Sequence, residues 1–158
     1  MSDAAPPTIE RLAANRFLQK KFLNQCGIET VDFRLARNHR ELVVAHKALG
    51  FPGTLKLQFV DEERSGPWVV RDFDDVPLAL RETRGRPLLW ERSVAIERAF
   101  SLEVERDAAG AVRLSPQIEG EPRAVAVRIG ECLGVVGVYF VTFVVAGGRL
   151  LVDEIDWT

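Results

Sequence analysis

The C-terminal part of the sequence restricts the possible folds more than any other segment. Two apolar runs, 135–145 and 149–155, are separated by a Gly-Gly dipeptide at 147–148 that tolerates positive φ angles, which predicts a β-hairpin. An alternating run at 100–104 and a short partner at 111–114 predict another hairpin. Strands joined by tight turns are antiparallel. The pattern therefore disfavours a doubly wound parallel sheet and favours an α+β fold.

Four segments have the apolar periodicity of helices that could cover such sheets. A stripe begins at Thr8 and ends before Gly27, which suits a C-terminal cap. Asn38, followed three residues later by Glu41, predicts the start of a helix that ends at Gly50. Further helices are predicted at about 72–83 and 124–133, and further strands at 54–60, 68–71 and 88–90.

Composition excludes several classes of function. The net charge is −2, and acidic and basic residues are interspersed. The chain therefore has no large positive potential that would attract nucleic acid, and no run of basic residues typical of binding to a membrane surface. No apolar stretch reaches the roughly 18–20 residues that a membrane span needs, and residues 1–7 carry no apolar signal segment. Cys26 and Cys132 lack the spacing of a metal site or a disulfide framework and are predicted to be small buried thiols. We expect a cytoplasmic protein with neither nucleic-acid nor membrane partners.

Short motifs follow one another along the chain in an informative order. They are Arg16 with Gln19-Lys20 and Gly27 to Thr30, Leu49 to Lys56, Glu91 to Val94, Ala99 to Leu102, Ser115-Pro116 with Glu119, Gly134 to Val138, and Gly148 to Ile155. Together they resemble the carboxyaminoimidazole ribonucleotide synthases (phosphoribosylaminoimidazole carboxylase ATPase subunits), an ATP-grasp family of purine biosynthesis. These enzymes are ATP-dependent carboxylate–amine ligases.

The resemblance implies an ATP-grasp-like α+β fold of two small antiparallel-sheet lobes with packed helices. Residues 1–7 would be a disordered tail, 8–90 the first lobe and 91–158 the second lobe. Within the second lobe, 91–94 would form the hinge and 135–155 the metal-site hairpin.

The resemblance also implies a site for ATP and Mg²⁺, although it assigns no catalytic residue. Lys56 would contact the α and β phosphates, and the 91–94 segment would contact adenine and ribose. The complete set is Arg16, Lys56, Glu91, Arg92 and Val94 for the nucleotide, and Asp153 and Glu154 for the metal. Each of these residues could instead be an ordinary solvated side chain at a strand end or on a helix surface.

Several positions depart from the family pattern. The segment 61–67 stands where the family has a glycine-rich phosphate loop, but it has one glycine, three carboxylates and Pro67. Glycines let backbone N–H groups approach phosphate oxygens, and like charges at ~4 Å repel by ~1 kcal/mol in water. Thr142 stands where the family has a Mg²⁺-binding carboxylate, and Ala99 replaces another acid. The sequence therefore predicts a loop unfit to clamp a triphosphate.

Three functions remain open from the sequence. The chain could be a working ligase domain, or a nucleotide-binding ATP-grasp domain that is weak or inactive as a ligase on its own. Alternatively, it could be a non-catalytic scaffold or protein-interaction module that keeps the fold without nucleotide. The resemblance covers only the central part of the family's architecture, so the lobes that precede and follow it in the family would be missing. In the third case a second copy or a partner subunit could cover the apolar surface that they leave exposed.

Overall fold

The computed structural model describes residues 8–60 and 67–157. Its elements in chain order are α1 (Ile9–Ala14), α2 (Arg16–Gln25), β1 (Phe33–Ala36), α3 (His39–Leu49), β2 (Gly53–Leu57), β3 (Trp68–Val70), α4 (Val76–Glu82), β4 (Leu88–Arg92), β5 (Ile96–Arg106), β6 (Val112–Ser115), α5 (Glu121–Leu133), β7 (Gly137–Ala146) and β8 (Arg149–Trp157). A short 3₁₀ turn, Phe73–Asp75, leads into α4. Most of the predicted acidic loop, residues 61–66, lies outside the described residues, and Pro67 is exposed.

The strands form two four-stranded sheets, which confirms the predicted α+β class. The first sheet has the order β1-β4-β2-β3 and the second β6-β5-β7-β8. Every strand pair in the described part of the chain is antiparallel. β4 belongs to the first sheet and β5 to the second, so the segment between them links the two sheets.

Local capping signals set most helix boundaries. Asn38 accepts a hydrogen bond from the Glu41 backbone N–H and begins α3, and Gly50, with φ 72°, ends it. The single helix predicted from Thr8 is wrong, because Asn15 divides it. The Asn15 backbone is extended and bridges to Phe59, while its side chain accepts from the Leu18 N–H and caps α2.

Each sheet has its own hydrophobic core. The first packs against α3 and α4 around Trp90, which is fully buried. Gly53 lies so close to this indole that an added Cβ would be 2.2 Å from Trp90 Nε1. The second sheet packs against α1, α2 and α5, so the two N-terminal helices share the core of the sheet that comes last in sequence. The division into lobes at 90 and 91 stays a prediction.

Both cysteines lie near this second core. Cys26 is buried as expected, but the expectation that Cys132 is buried is wrong, because it lies exposed near the end of α5. None of the described helices has the length and apolar character needed to cross a membrane.

The outer edge of β8 is covered by α2 and the segment after it. The Gln19 side-chain amide accepts from the Ile155 N–H at 2.9 Å and donates to the Ile155 carbonyl at 2.7 Å. The Val152 N–H donates to the Glu29 carbonyl, and the Thr30 hydroxyl donates to the Val152 carbonyl. An open edge would present unpaired backbone groups to other chains. This cover closes the edge and fixes α2 against the second sheet.

Candidate functional site

Strand alternation places two charged side chains on one face of the first sheet. Along β2, Gly53, Leu55 and Leu57 are buried toward the core, so Lys56 points to the opposite face. Lys56 pairs with Leu89 on β4, and Glu91 is two residues further along that strand. The two side chains are therefore diagonal neighbours on the face away from the core.

Lys56 joins the two sheets through two ion pairs. Its Nζ lies 3.0 Å from Glu91 Oε2 in the first sheet and 3.3 Å from Asp153 Oδ1 in β8 of the second. Burial disfavours the charged ammonium, but Glu91 and Asp153 together outweigh that effect, and the pKa of Lys56 is raised above its ordinary value. Lys56 therefore carries a positive charge that both sheets neutralise.

Lys20 is a further member of the site that the sequence prediction did not include. Its Nζ lies 2.9 Å from Glu91 Oε1, and both side chains are almost completely buried. The same ammonium donates to the Thr30 hydroxyl at 3.0 Å and to the Asp153 carbonyl at 3.2 Å. Glu91 thus lies between two lysines, one from α2 and one from β2.

A signal for Lys20 was present in the sequence. Arg16, Gln19, Lys20 and Leu23 have the spacing of one helix face, and three of the four are polar. Gln19 and Lys20 are both buried. Leu23 is a core residue, so polar side chains on the same helix face are also turned toward the protein interior and need hydrogen-bond or ion-pair partners there. Such a face indicates either a functional site or a polar contact with another helix or strand.

A β-bulge brings the two predicted metal ligands to the same face. Thr142 pairs with Glu154, whereas Phe143 pairs with Val152, so Asp153 is an extra residue in β8. Val152 faces the core and Thr142 the opposite side, which puts Asp153 and Glu154 together on the side facing Lys56. Regular alternation would have separated them, and bulges re-aim side chains in this way.

Glu154 contacts the first turn of α2. Its Oε1 lies 3.6 Å from Arg16 Nε, and Arg16 also donates from a terminal nitrogen to the Leu57 carbonyl at 2.9 Å. Burial raises the pKa of the Glu154 carboxyl above its ordinary value; the Asp156 and Asp153 carboxylates add to this, while Arg16 and Lys56 oppose it. Added positive charge at this position would therefore favour the ionised carboxylate.

Five of the seven predicted site residues come together, and two do not. Arg16, Lys56, Glu91, Asp153 and Glu154 form one connected set of charges. The Arg92 side chain, about half exposed, lies 3.5 Å from Asp32, while Val94 packs against the small apolar cluster of Val31, Val144, Ala146 and Leu151. Arg92 and Val94 therefore do not join this set of charges through their side chains.

The donor set fits a magnesium ion only in part. Mg²⁺ in phosphate-transfer sites takes one or two carboxylates and completes its shell with water and substrate phosphates. Asp153 and Glu154 supply two carboxylates on one face, and Glu154 lies where a cation would be favourable. The described residues contain no group of three or more potential metal ligands, and the Thr142 hydroxyl lies 2.9 Å from Ser101 Oγ. The pair fits a Mg²⁺ ion that arrives with phosphate.

The comparisons with known proteins agree with this architecture, although no protein-family model matches the chain. A crystal structure of an N5-carboxyaminoimidazole ribonucleotide synthetase with ADP superposes with a TM-score of 0.82 at 22% identity, over 91% of this chain and 44% of that one. The chain has an ATP-grasp fold. The Aspergillus clavatus carboxyaminoimidazole ribonucleotide synthase complexed with ATP gives a TM-score of 0.80 at 21% identity, over 92% of this chain and 44% of that one.

A curated relative of this ATP-grasp domain points to the same group of proteins. The N5-carboxyaminoimidazole ribonucleotide synthase of Brucella melitensis is 28% identical over 94% of this chain and 48% of the relative. The resemblance that the sequence motifs predicted is thus confirmed. The ATP-grasp chain spans about half the length of this relative.

Proposed function

We propose that this ATP-grasp domain binds ATP beside Lys56, where this lysine joins the two sheets. The observation that carries the proposal is the position of Lys56 between Glu91 and Asp153, at 3.0 and 3.3 Å, because it places a partly exposed ammonium among carboxylates from both sheets. The structural relatives with ADP and with ATP support it. The domain is related to the ATP-dependent carboxylate–amine ligases of purine biosynthesis, and ligase turnover by this chain alone is weak or absent.

The residues around Lys56 suit distinct parts of a nucleotide. The Lys56 ammonium would contact phosphate oxygens, and Arg16 lies close enough to Glu154 to share in neutralising negative charge there. The backbone of 91–94 would receive the adenine edge, with Arg92 and Val94 contributing main-chain atoms. Asp153 and Glu154 would hold Mg²⁺, which would neutralise phosphate charge when bound.

The same geometry supports weak binding. Lys56 is already paired with two carboxylates, so a phosphate must displace at least one of them before it gains the full attraction of the ammonium. Thr142 offers a hydroxyl that is engaged with Ser101 at the position where the synthases have a carboxylate. Both features reduce the affinity for Mg·ATP and oppose turnover.

Thermal unfolding with and without Mg·ATP tests the proposal. At a nucleotide concentration one hundred times the Kd, binding to the folded state should add ~2.7 kcal/mol to the free energy of unfolding. Lys56→Ala should abolish this gain. Lys47→Ala is the matched control, since Lys47 is an exposed lysine on α3, and it should keep the gain. A gain that survives in Lys56→Ala would move the nucleotide to another site.

A ligase assay separates binding from turnover. ADP release that depends on bicarbonate and aminoimidazole ribonucleotide would show that the chain alone is a working ligase. We expect binding without such release.

The second candidate is a scaffold that keeps the fold without nucleotide. The observation that favours it is the internal charge balance, since Lys20 and Lys56 face Glu91 and Asp153 and need no ligand for neutrality. A second copy or a partner subunit would then cover exposed apolar side chains such as Ile96 and Val136. The absence of any Mg·ATP shift at millimolar concentration, with a concentration-dependent increase in mass by light scattering, would favour this function.

A further inference from the structure

The two lysines that face Glu91 differ in how firmly they are held. The Lys20 side chain is 2% exposed, and its Nζ lies 2.9 Å from Glu91 Oε1. The same ammonium donates to the Thr30 hydroxyl and to the Asp153 carbonyl. An ammonium has three N–H donors. Three oxygens from three parts of the chain therefore surround Lys20, which fixes its ammonium in place and keeps it away from solvent.

Lys56 is held less completely. Its side chain is 17% exposed, and its ammonium contacts two side-chain carboxylates, those of Glu91 and Asp153. Two contacts do not use all three donors of an ammonium, and the exposed part of the side chain is open to a dissolved ligand. Lys56 is thus the lysine that can exchange a carboxylate for a phosphate oxygen, whereas Lys20 keeps its partners.

Glu91 is the carboxylate that such an exchange affects most. Its side chain is 5% exposed, with Oε2 facing Lys56 and Oε1 facing Lys20. In the part of the chain that the structure describes, Oε1 accepts no hydrogen bond of favourable geometry, so the ion pair with Lys20 compensates its burial. A buried carboxylate without a counter-ion is strongly destabilising. When Lys56 turns to a phosphate, Lys20 therefore keeps Glu91 neutralised.

We propose that Lys20 is a positioning residue for nucleotide binding, the fixed counter-ion that allows Lys56 to leave Glu91 for a phosphate oxygen. The inference rests on the proposed function, since it concerns the same nucleotide. Lys20 does not touch the ligand and acts through Glu91. No covalent bond changes in this step: Lys56 exchanges one anionic oxygen for another, and Glu91 goes from two ammonium contacts to one. Without Lys20, a phosphate would compete with a buried carboxylate for the single remaining ammonium.

Titration calorimetry with Mg·ATP tests the proposal, at a temperature where circular dichroism shows that every variant is folded. Lys20→Met should raise the Kd ~10-fold, which is a typical size for coupling within one salt-bridge network. Glu91→Gln should not raise the Kd, because Lys56 then has one anionic competitor fewer. Lys20→Met/Glu91→Gln should return the Kd to near the unsubstituted value, because the uncompensated carboxylate is gone.

Two controls separate this effect from a loss of charge and from a loss of stability. Lys21→Met removes an exposed lysine of α2 that lies over the Phe17 ring, and it should bind like the unsubstituted chain. Leu114→Ala removes a core side chain from β6, the edge strand farthest from β8 in the second sheet. Leu114→Ala should lower the stability, as large-to-small core substitutions do, and keep the Kd.

The outcomes distinguish this inference from the proposed function. The role of Lys20 would be overturned by an unchanged Kd in Lys20→Met, by a loss that adding Glu91→Gln does not restore, or by an equal loss in Leu114→Ala. Each of these results would leave nucleotide binding at Lys56 in place. If the unsubstituted chain binds no Mg·ATP, the proposed function is wrong, and this inference falls with it.

Discussion

The buried Lys20–Glu91 ion pair gives a direct test of how α2 and the first sheet are held together. In Lys20→Met the chain keeps a side chain of similar length at a position that is 2% exposed, but Glu91 loses the ammonium at 2.9 Å. Removing one partner of a buried pair costs ~3–5 kcal/mol, because the other charge stays buried without compensation. Glu91 keeps Lys56 at 3.0 Å, so we expect the lower end, ~3 kcal/mol.

This loss can be measured by urea and thermal unfolding. For a chain of this size ~3 kcal/mol corresponds to a fall of ~6–12 °C in the melting temperature. In Lys20→Met/Glu91→Gln both buried charges are gone, so the double variant should be more stable than the sum of the two single losses predicts, by ~1 kcal/mol or more. Lys56 keeps Asp153 in that background.

The matched control is the exposed ion pair at the start of α3. Arg37 and Glu41 form a bridge with a 2.7 Å contact, but the arginine side chain is 65% exposed. Arg37→Ala should leave the melting temperature unchanged within error. If Lys20→Met loses less than ~1 kcal/mol, or if the two single losses simply add, then the lysine is solvated in solution and the argument from burial is wrong.

Three further substitutions probe other features. Gly53→Ala should cost ~1–3 kcal/mol by urea unfolding, since its Cβ would overlap the buried Trp90 indole; an unchanged midpoint would show that the indole can move. Glu154→Gln should stabilise the chain at pH 7. Burial raises the pKa of the Glu154 carboxyl, so the native state favours the protonated form. The stability of the unsubstituted chain therefore falls as the pH rises through that raised pKa, whereas glutamine stays neutral. The advantage should vanish below about pH 4, under the ordinary carboxyl pKa, and an advantage that persists there would point to packing instead. Asn15→Ala should cost ~1 kcal/mol by removing the cap of α2, with loss of helical circular dichroism; no change would mean that the bridge to Phe59 alone sets the boundary.

Features encoded by neighbouring residues could be predicted from the sequence. Asn38 and Gly50 bound α3 because a side-chain cap and a positive-φ residue act within one turn. The Gly147-Gly148 turn fixes the last hairpin for the same reason. The resemblance to the family also predicted that five distant residues share one site, namely Arg16, Lys56, Glu91, Asp153 and Glu154. Residue spacing alone could not have predicted this, because these residues lie far apart in the sequence.

Features that depend on distant contacts could not be predicted in this way. The partners of Lys20 are Glu91, Thr30 and the Asp153 carbonyl, which come from three separate parts of the chain. The break at Asn15 is set partly by a bridge to Phe59, 44 residues later in the chain. The bridge at Asn15 leaves no periodic pattern. The polar face of α2 indicates that Lys20 needs a buried partner, but it does not identify that partner.

The bulge in β8 makes one position of this strand uniquely tolerant of shortening. Deleting a residue elsewhere in a paired strand would turn every later side chain to the wrong face of the sheet. Deleting Asp153 would instead restore plain alternation, with Val152 still facing the core and Glu154 still opposite Thr142. The strand would lose one carboxylate and keep its register on both sides. We therefore expect the sheet to accept a β8 strand that is shorter by one residue, Asp153, which is the acid that contacts Lys56.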